Sequence, residues 1–144
     1  IFSAGDEAFF MFMVQSGELQ YSSANGAGGF EHVLLSTEAR FQNAERWVAE
    51  AVLWTVWRHR GKLVVGPRPS ELILVYPEMF FDIMSKHPST WLYAIVYGEQ
   101  FITCINGLTD LTDIIALKSF YEAAATYACH IALEEEGEIQ ETTQ

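Results

Sequence analysis

The sequence predicts an α+β domain in which the strands come first and the helices come last. From Ile1 to about Phe41 the apolar residues alternate or occur in short runs bounded by glycine, which is typical of β-strands. After Pro77 they recur at helical spacing to the end of the chain. With 144 residues, of which 50% are hydrophobic and 19% are charged, the chain has the composition of one packed domain.

The predicted strands follow one another along the chain. "FFMFMVQSGELQYSS" predicts two strands that form a hairpin through a tight turn at Ser16 and Gly17. "NGAGG", Asn25 to Gly29, predicts a flexible connection, and "FEHVLLSTEARF" predicts a further strand. Two more strands, "GKLVV" and "ELILVY", are separated by the irregular link "GPRP".

A short helix is predicted between these strands. Trp47, Ala51 and Trp54 fall at helical intervals within "ERWVAEAVLWTVWRHRG", a pattern that indicates one or two helical turns in a β region. This helix interrupts the strand order just before "GKLVV".

About three helices are predicted after the last strand. Pro77 suits the first turn of "PEMFFDIMSKH", because proline lacks the N–H that a first turn leaves unbonded. Ser89 or Thr90 can cap "TWLYAIVYGEQFITCIN" through a side-chain oxygen. Thr109 to Leu133 forms a third amphipathic segment.

The charge balance excludes some partners. The formal net charge is −11 and the isoelectric point is about 4.6, which argues against a nucleic-acid interface, since phosphate backbones require clustered lysine and arginine. Part of the excess lies in "LEEEGEIQE", which has five glutamates between Glu134 and Glu141. This run is typical of a solvated helix end or tail, and the alternative is a contact for a basic partner.

Cysteine and histidine positions give no sign of a metal or disulfide. Cys104 and Cys129 lack a CxxC neighbour, so we expect free thiols in a reducing, intracellular compartment. The four histidines lack HxH or HxxxH spacing, and no metal site is predicted. No catalytic residue is predicted, and no apolar run is long enough to cross a membrane. The opening "IFSAGD" lacks an initiator Met and a signal-type pattern, so we expect a fragment or a processed product of a longer protein.

Three stretches, taken in order, resemble a cyclic nucleotide-binding domain. "IFSAGD" is similar to the opening strand and Gly-Asp turn of that family, and "FMVQSGELQYSS" is similar to its next pair of strands. "SELILVYPEMFFDIM" resembles its last strand and the helix that follows. The resemblance implies a β-roll, or jelly roll, with a short internal helix and C-terminal helices. It implies that residues 1–115 form this non-catalytic regulatory domain and that 116–144 form a C-terminal helix and acidic tail.

The stretch between them takes the place of the family's phosphate-binding cassette. There a Gly-Glu pair starts the helix, the glutamate binds the ribose 2′-hydroxyl, and an arginine some nine residues later pairs with the cyclic phosphate. The resemblance implies that Ala49, Glu50 and Ala51 line the ligand site, with Arg60 ten residues after Glu50 as the phosphate partner. It implies cAMP or cGMP as the ligand, and no other cofactor is indicated. Helix N-termini and arginine both suit phosphate groups.

This cassette departs from the family pattern and is predicted to be degenerate. Ala49 replaces the glycine before the glutamate, adding a methyl group where backbone should approach a ligand. Lys62 and Leu63 replace a small residue and a threonine. The variant "WVAEAVLWTVWRHRG" is similar to cassettes in channel-like proteins of protists.

Several aromatic residues are candidates for a protein interface. Trp54 and Trp57 add bulk near the cassette, while Trp91 and Tyr97 belong to a helix with apolar residues on more than one face. Two functions follow from these features. One is a regulatory or sensor domain that acts on a partner through its C-terminal helices. The other is a structural or docking subunit of a larger protein or membrane assembly, which uses the same fold without a ligand.

Overall fold

The computed structural model describes residues 1–24, 29–38 and 45–115. Within these residues it has six strands and two α-helices: β1 Met11–Ser16, β2 Glu18–Ala24, β3 Phe30–Ser36, β4 Trp47–Val48, β5 Gly61–Val65, β6 Glu71–Val75, α1 Pro77–Met84 and α2 Pro88–Asn106. A 3₁₀ helix, Glu50–Leu53, lies between β4 and β5. The predicted order of strands, short internal helix, strands and helices is confirmed.

The strands form two antiparallel sheets of three strands each. In one the order is β4-β1-β6, and in the other it is β3-β2-β5. Inward-facing side chains from both sheets meet in one apolar cluster, whose buried members are Phe2, Phe12, Val14, Leu19, Tyr21, Leu35, Val48, Ala49 and Leu63. This is the packing expected of a β-roll, because each sheet buries one face against the other.

The hairpin predicted at Ser16 and Gly17 is wrong, although both of its strands exist. β1 and β2 belong to different sheets and are not neighbours in either. Gly17 has φ +83°, and a Cβ at this position would lie 2.5 Å from the carbonyl oxygen of Pro69. Glycine therefore lets the chain turn tightly while it passes from one sheet to the other. Alternation in the sequence identifies a strand but does not identify its neighbour.

An N-terminal segment, residues 1–8, runs antiparallel to residues 57–63. Backbone hydrogen bonds join Gly5 to His59 and Ala8 to Trp57, and isolated bridges pair Phe2 with Leu63. The segment covers the entry into β5. It therefore supports the part of the chain that carries the candidate site.

The start of α1 agrees with the prediction, and the start of α2 does not. Pro77 starts α1 as expected, but the N-cap of α2 is His87, because Pro88 takes the first helical position instead of Ser89 or Thr90. Residues 108–115 are not helical, and the rest of the third predicted helix and the acidic tail lie outside the described residues. No helix in the described part of the chain has both the length and the apolar character that a membrane crossing needs.

The chain divides into two units. The first comprises residues 1–79 and 108–115 and contains all six described strands; among the described residues the second holds 80–107. Within the second, the ring of Trp91 lies edge-on to Phe81 at 6.0 Å, and the buried residues of α2 share one face: Ala94, Tyr97, Gly98, Phe101 and Ile105. The return of 108–115 to the strand unit places that segment beside the cassette.

Candidate functional site

The segment at the place of the cassette joins β4 to β5. It begins at Ala49, which is fully buried and has φ 65° and ψ 33°, the left-handed region that glycine adopts without strain. All four residues of the following 3₁₀ helix, Glu50–Leu53, are buried. Ala49 thus keeps the backbone bend that a glycine would make, with a methyl group added.

The carboxylate of Glu50 is bound to two tryptophans. Nε1 of Trp47 donates to Oε2 at 3.1 Å, and Nε1 of Trp54 donates to Oε1 at 3.5 Å. Glu50 is only 9% exposed. Because an indole N–H only donates, each ring occupies one acceptor oxygen of the carboxylate.

Arg60 does not join this group. Its side chain is exposed, and its guanidinium carbon lies 5.2 Å from the centroid of the Trp57 ring, a cation–π distance. Within the described part of the chain, no hydrogen bond or ion pair connects it with Glu50. The structure therefore brings together Ala49, Glu50 and Ala51 of the predicted site, while the Arg60 side chain faces outward.

Strand alternation explains this orientation. From Trp57 to Leu63 the residues are buried and exposed in strict turn, so Trp57, His59 and Gly61 face inward while Arg58, Arg60 and Lys62 face outward. The residue nine positions after Glu50 is His59. The position that the resembled family gives to a phosphate-binding arginine thus holds an inward histidine. Its ring stacks on Phe2, with centroids 3.5 Å apart and an interplanar angle of 6°.

Asp113, in the segment that returns after α2, is the polar centre of this region. Its side chain is fully buried and accepts five hydrogen bonds. Oδ1 accepts from Trp57 Nε1 at 2.8 Å and from His59 Nδ1 at 3.1 Å. Oδ2 accepts from the Tyr21 hydroxyl at 2.8 Å and from the backbone N–H groups of Arg60 and Gly61 at 2.7 and 2.9 Å.

The backbone of Asp113 is bound as well. Its N–H donates to the Tyr21 hydroxyl at 2.9 Å, and its carbonyl accepts from the N–H of Ala49 at 2.8 Å. One residue therefore ties the start of the 3₁₀ helix, β2 and the start of β5 to the segment 108–115. The His59 contact also requires that Nδ1 carry the hydrogen, because a carboxylate only accepts.

These contacts keep Asp113 charged and Tyr21 neutral. Burial raises the pKa of Asp113, but hydrogen bonds from His59, Trp57, Tyr21 and the Arg60 backbone outweigh that effect and hold its pKa below the ordinary value. Burial, assisted by the negative charge of Asp113, raises the pKa of Tyr21. The phenol therefore remains a donor to the carboxylate at neutral pH.

An open depression lies on the surface outside this centre. Its volume is about 540 Å³, and it is lined by Ala4, Gly5, Val56, Arg58, His59 and Arg60. Arg58 donates to the Gly5 carbonyl at 3.1 Å, and neither arginine is ion-paired with a carboxylate of the described residues. In a chain of net charge −11, this is a local concentration of positive charge.

The predicted interface residues have different surroundings. Trp57 is 4% exposed and gives its N–H to Asp113, and Tyr97 is buried on α2. Trp54 and Trp91 are partly exposed. The interface assignment stays a prediction for all four. Among the described residues there is no cluster of three or more side chains of the kinds that hold metal ions.

Sequence reasoning missed Asp113, Tyr21 and the inward role of His59. A signal for His59 was present, because extending the alternation of "GKLVV" backwards turns His59 inward and Arg60 outward. No such signal exists for Asp113, which lies 92 residues from Tyr21 and 52 from Gly61 in a segment without regular structure.

Comparison with solved structures identifies the fold. The catabolite activator protein of Thermus thermophilus aligns with a TM-score of 0.50 and 17% identity, over 74% of this chain and 47% of that one. The sensor domain of the transcriptional regulator DNR from Pseudomonas aeruginosa aligns with a TM-score of 0.51 and 13% identity, over 78% of this chain and 71% of that domain. These likenesses confirm the β-roll fold that the resemblance to cyclic nucleotide-binding domains implies.

The likeness covers only part of one of these proteins and is not accompanied by a match in sequence. The chain spans about half the length of the catabolite activator protein, at 47%. The sequence matches no family model, and no curated protein is significantly similar to it. The likeness is therefore one of fold.

Proposed function

We propose that this chain is a non-catalytic regulatory domain with a cyclic nucleotide-binding fold whose cassette does not bind cAMP or cGMP in the family's manner. The observation that carries the proposal is the occupation of the cassette by the protein itself. Glu50 is held by two indoles, and the donors at the entry to β5 converge on Asp113. A nucleotide would have to replace both sets of contacts.

The orientation of Arg60 supports the same proposal. A cyclic phosphate needs a cation inside the site, yet the inward position nine residues after Glu50 is His59, which is bound to Asp113. The Arg60 guanidinium lies over Trp57 on the exposed side of the strand. The degenerate cassette therefore lacks the arginine that would pair with the phosphate.

The position of Asp113 supports a role for the C-terminal part in signalling. The segment 108–115 follows α2 in sequence and returns to the unit that contains the cassette. A change at the cassette that weakens the Asp113 contacts would release the chain after α2. We propose that this is the route by which the domain acts on a partner.

Calorimetric titration with cAMP and with cGMP tests the proposed function. For the full chain we expect no binding in the micromolar range, because Glu50 is already bound to two indoles and Arg60 lies on the exposed side of the strand. The variant Arg60→Ala should behave like the wild type. Lys62→Ala is the matched control, since Lys62 is an exposed cation two residues further along the same strand face.

The contradicting result is specific. Micromolar binding of either nucleotide that disappears in Arg60→Ala and persists in Lys62→Ala would mean that Arg60 turns inward on binding. The cassette would then be functional, and the proposal of a degenerate site would be abandoned.

A second candidate function, a docking subunit, is favoured by exposed apolar residues around β6. Ile73 and Leu74 are 47% and 40% exposed, although they point to opposite faces of the strand. Tyr76 and Met79, which follow, are 42% and 62% exposed. Such a group of exposed apolar side chains on an edge strand is typical of a surface that contacts another protein.

Sedimentation velocity over a concentration series tests this second candidate. If the surface around β6 accepts a second copy of this chain, it predicts self-association that the double substitution Ile73→Glu and Leu74→Lys abolishes. A wild-type chain that stays monomeric at concentrations up to about 100 μM, which covers ordinary protein affinities, would remove its support.

A further inference from the structure

We propose that the carboxylate of Asp113 is an internal ligand in an anion-binding site, and that a small oxyanion of the phosphate or carboxylate class binds there when the segment 108–115 releases. The inference deepens the proposed function and rests on it, because it gives the reason why the cassette is closed.

The first argument is the number and type of donors. Five donors from two separate parts of the chain, β2 and residues 57–61, converge on two oxygen atoms at 2.7 to 3.1 Å. A carboxylate offers about four lone-pair sites, so Asp113 is fully saturated. The geometry of the donors matches that of a site for a small oxyanion, with two backbone N–H groups, a hydroxyl, an indole and an imidazole.

The second argument is that the donors and the acceptor belong to distant parts of the sequence. The five donors all precede α1 in the sequence. Tyr21 is on β2, Gly61 begins β5, and the other three lie in the segment that enters β5: Trp57, His59 and Arg60. Asp113 comes after α2, in a segment without helix or strand. Tyr21 and Gly61 thus lie on sheet strands, and backbone hydrogen bonds to residues 6 and 8 hold the stretch that carries the other three donors. The acceptor, in contrast, is carried by a segment without helix or strand.

The third argument is the surface beside the site. His59 contacts Asp113 and also lines the depression that contains the guanidinium groups of Arg58 and Arg60. Two arginines without an ion-pair partner among the described carboxylates attract anions to this point of an otherwise acidic chain. An anion that enters there meets the donor set through His59.

The consequence is a competition between two anions. Asp113 is tethered by the chain, so the effective concentration of its carboxylate at the donors is high. A free oxyanion binds only when its own concentration and affinity for the donors are high enough to displace that carboxylate. Binding of the free anion leaves Asp113 without its five partners. The segment 108–115 then loses its attachment to the cassette, including the bond from Ala49 to the Asp113 carbonyl.

Removal of the internal ligand tests the inference. In the full chain, Asp113→Ala leaves the five donors without an acceptor, and Asp110→Ala is the matched control because Asp110 is exposed in the same segment. Thermal unfolding is followed at constant ionic strength in sodium chloride, sodium acetate or inorganic phosphate. We expect acetate or phosphate to raise the midpoint of Asp113→Ala by at least about 3 °C relative to chloride, with saturation. The wild type and Asp110→Ala should show no such selectivity.

The two anions separate the sources of the ligand. A response to acetate alone assigns the site to carboxylates, and a response to phosphate assigns it to phosphate groups; either supports the inference. A folded Asp113→Ala that responds equally to all three salts would overturn it. cAMP binding by the wild type would contradict the proposed function instead, so the two failures are distinguishable.

A second variant covers the case in which Asp113→Ala does not fold. Asp113→Asn keeps the shape of the side chain but removes its charge, so phosphate should displace it at concentrations that leave the wild-type carboxylate in place. Backbone amide signals of Arg60 and Gly61 in ¹⁵N spectra report the displacement. If these two signals do not move with phosphate in Asp113→Asn, the inference is wrong.

Discussion

At the scale of single residues, the stability of this domain depends strongly on Asp113. Its side chain is fully buried, and a buried charge without partners is costly. Here five donors compensate for the lost hydration. Removing one partner from a buried, charged cluster costs roughly 3–5 kcal/mol. Loss of the Asp113 carboxylate should therefore lower the free energy of unfolding more than loss of any exposed carboxylate of this chain.

The charge of Asp113 also gives stability a definite pH dependence. Its pKa is lowered in the folded chain, and in an unfolded chain it returns to about 3.9. The folded state is therefore favoured above pH 4 and loses this contribution as the pH falls through the folded pKa. When the free energy of unfolding is measured against pH, its decrease in acid should therefore include the protonation of Asp113 and the loss of its hydrogen bonds.

Gly61 is a second residue on which the centre depends. A Cβ at this position would lie 2.5 Å from the backbone oxygen of Ser22 and 2.5 Å from the hydroxyl of Tyr21. Gly61→Ala should therefore lower the free energy of unfolding by on the order of 2 kcal/mol or more, because β5 must move away from β2. Chemical denaturation measures the change.

Gly107→Ala is the control for this substitution. Among the described residues a Cβ there would meet only the Cys104 carbonyl oxygen, at the ordinary contact distance of 3.5 Å, and the backbone is right-handed. We expect a change within about 0.5 kcal/mol. Equal effects of the two substitutions would mean that the close packing of β5 on Tyr21 is not a source of stability.

At the scale of elements, the strands and helices themselves were predictable. "GKLVV" and "ELILVY" alternate as expected and form β5 and β6, and Pro77 starts α1. Local chemistry determines each of these, because alternation and proline act over a few residues. The error at α2 has the same origin, since Pro88 fixes the first turn and leaves His87 as the cap.

Pairing between elements was less predictable. β1 and β2 look like a hairpin in sequence, yet each pairs with strands that lie further along the chain. Strand pairing depends on which faces are buried together, and a tight turn at Gly17 is compatible with both arrangements. The error at this turn therefore reflects a real ambiguity in the pattern.

The candidate site was predicted in part for the same reasons. Glu50 lies on the short helix that the pattern indicated and Ala49 directly precedes it, since helical spacing is a local property. The partners of Asp113 could not be predicted from local sequence patterns, because they are separated from it by 52 to 92 residues. Only the outward position of Arg60 followed from local alternation, and it was overlooked.

At the scale of the whole molecule, the charges form a simple contrast. The chain has a net charge of −11, while the depression beside the cassette is lined by two arginines and a histidine. The net charge disfavours the approach of anions, whereas the two arginines of this depression attract them. This distribution is consistent with a domain that responds to an anion.

Titration of the Asp113 carboxyl group by ¹³C NMR shows whether the donors at the entry to β5 bind this carboxylate. We expect a midpoint clearly below the ordinary value of about 3.9, with the amide signals of Arg60 and Gly61 changing at the same pH. A midpoint at or above the ordinary value, with both amide signals unchanged, would contradict it.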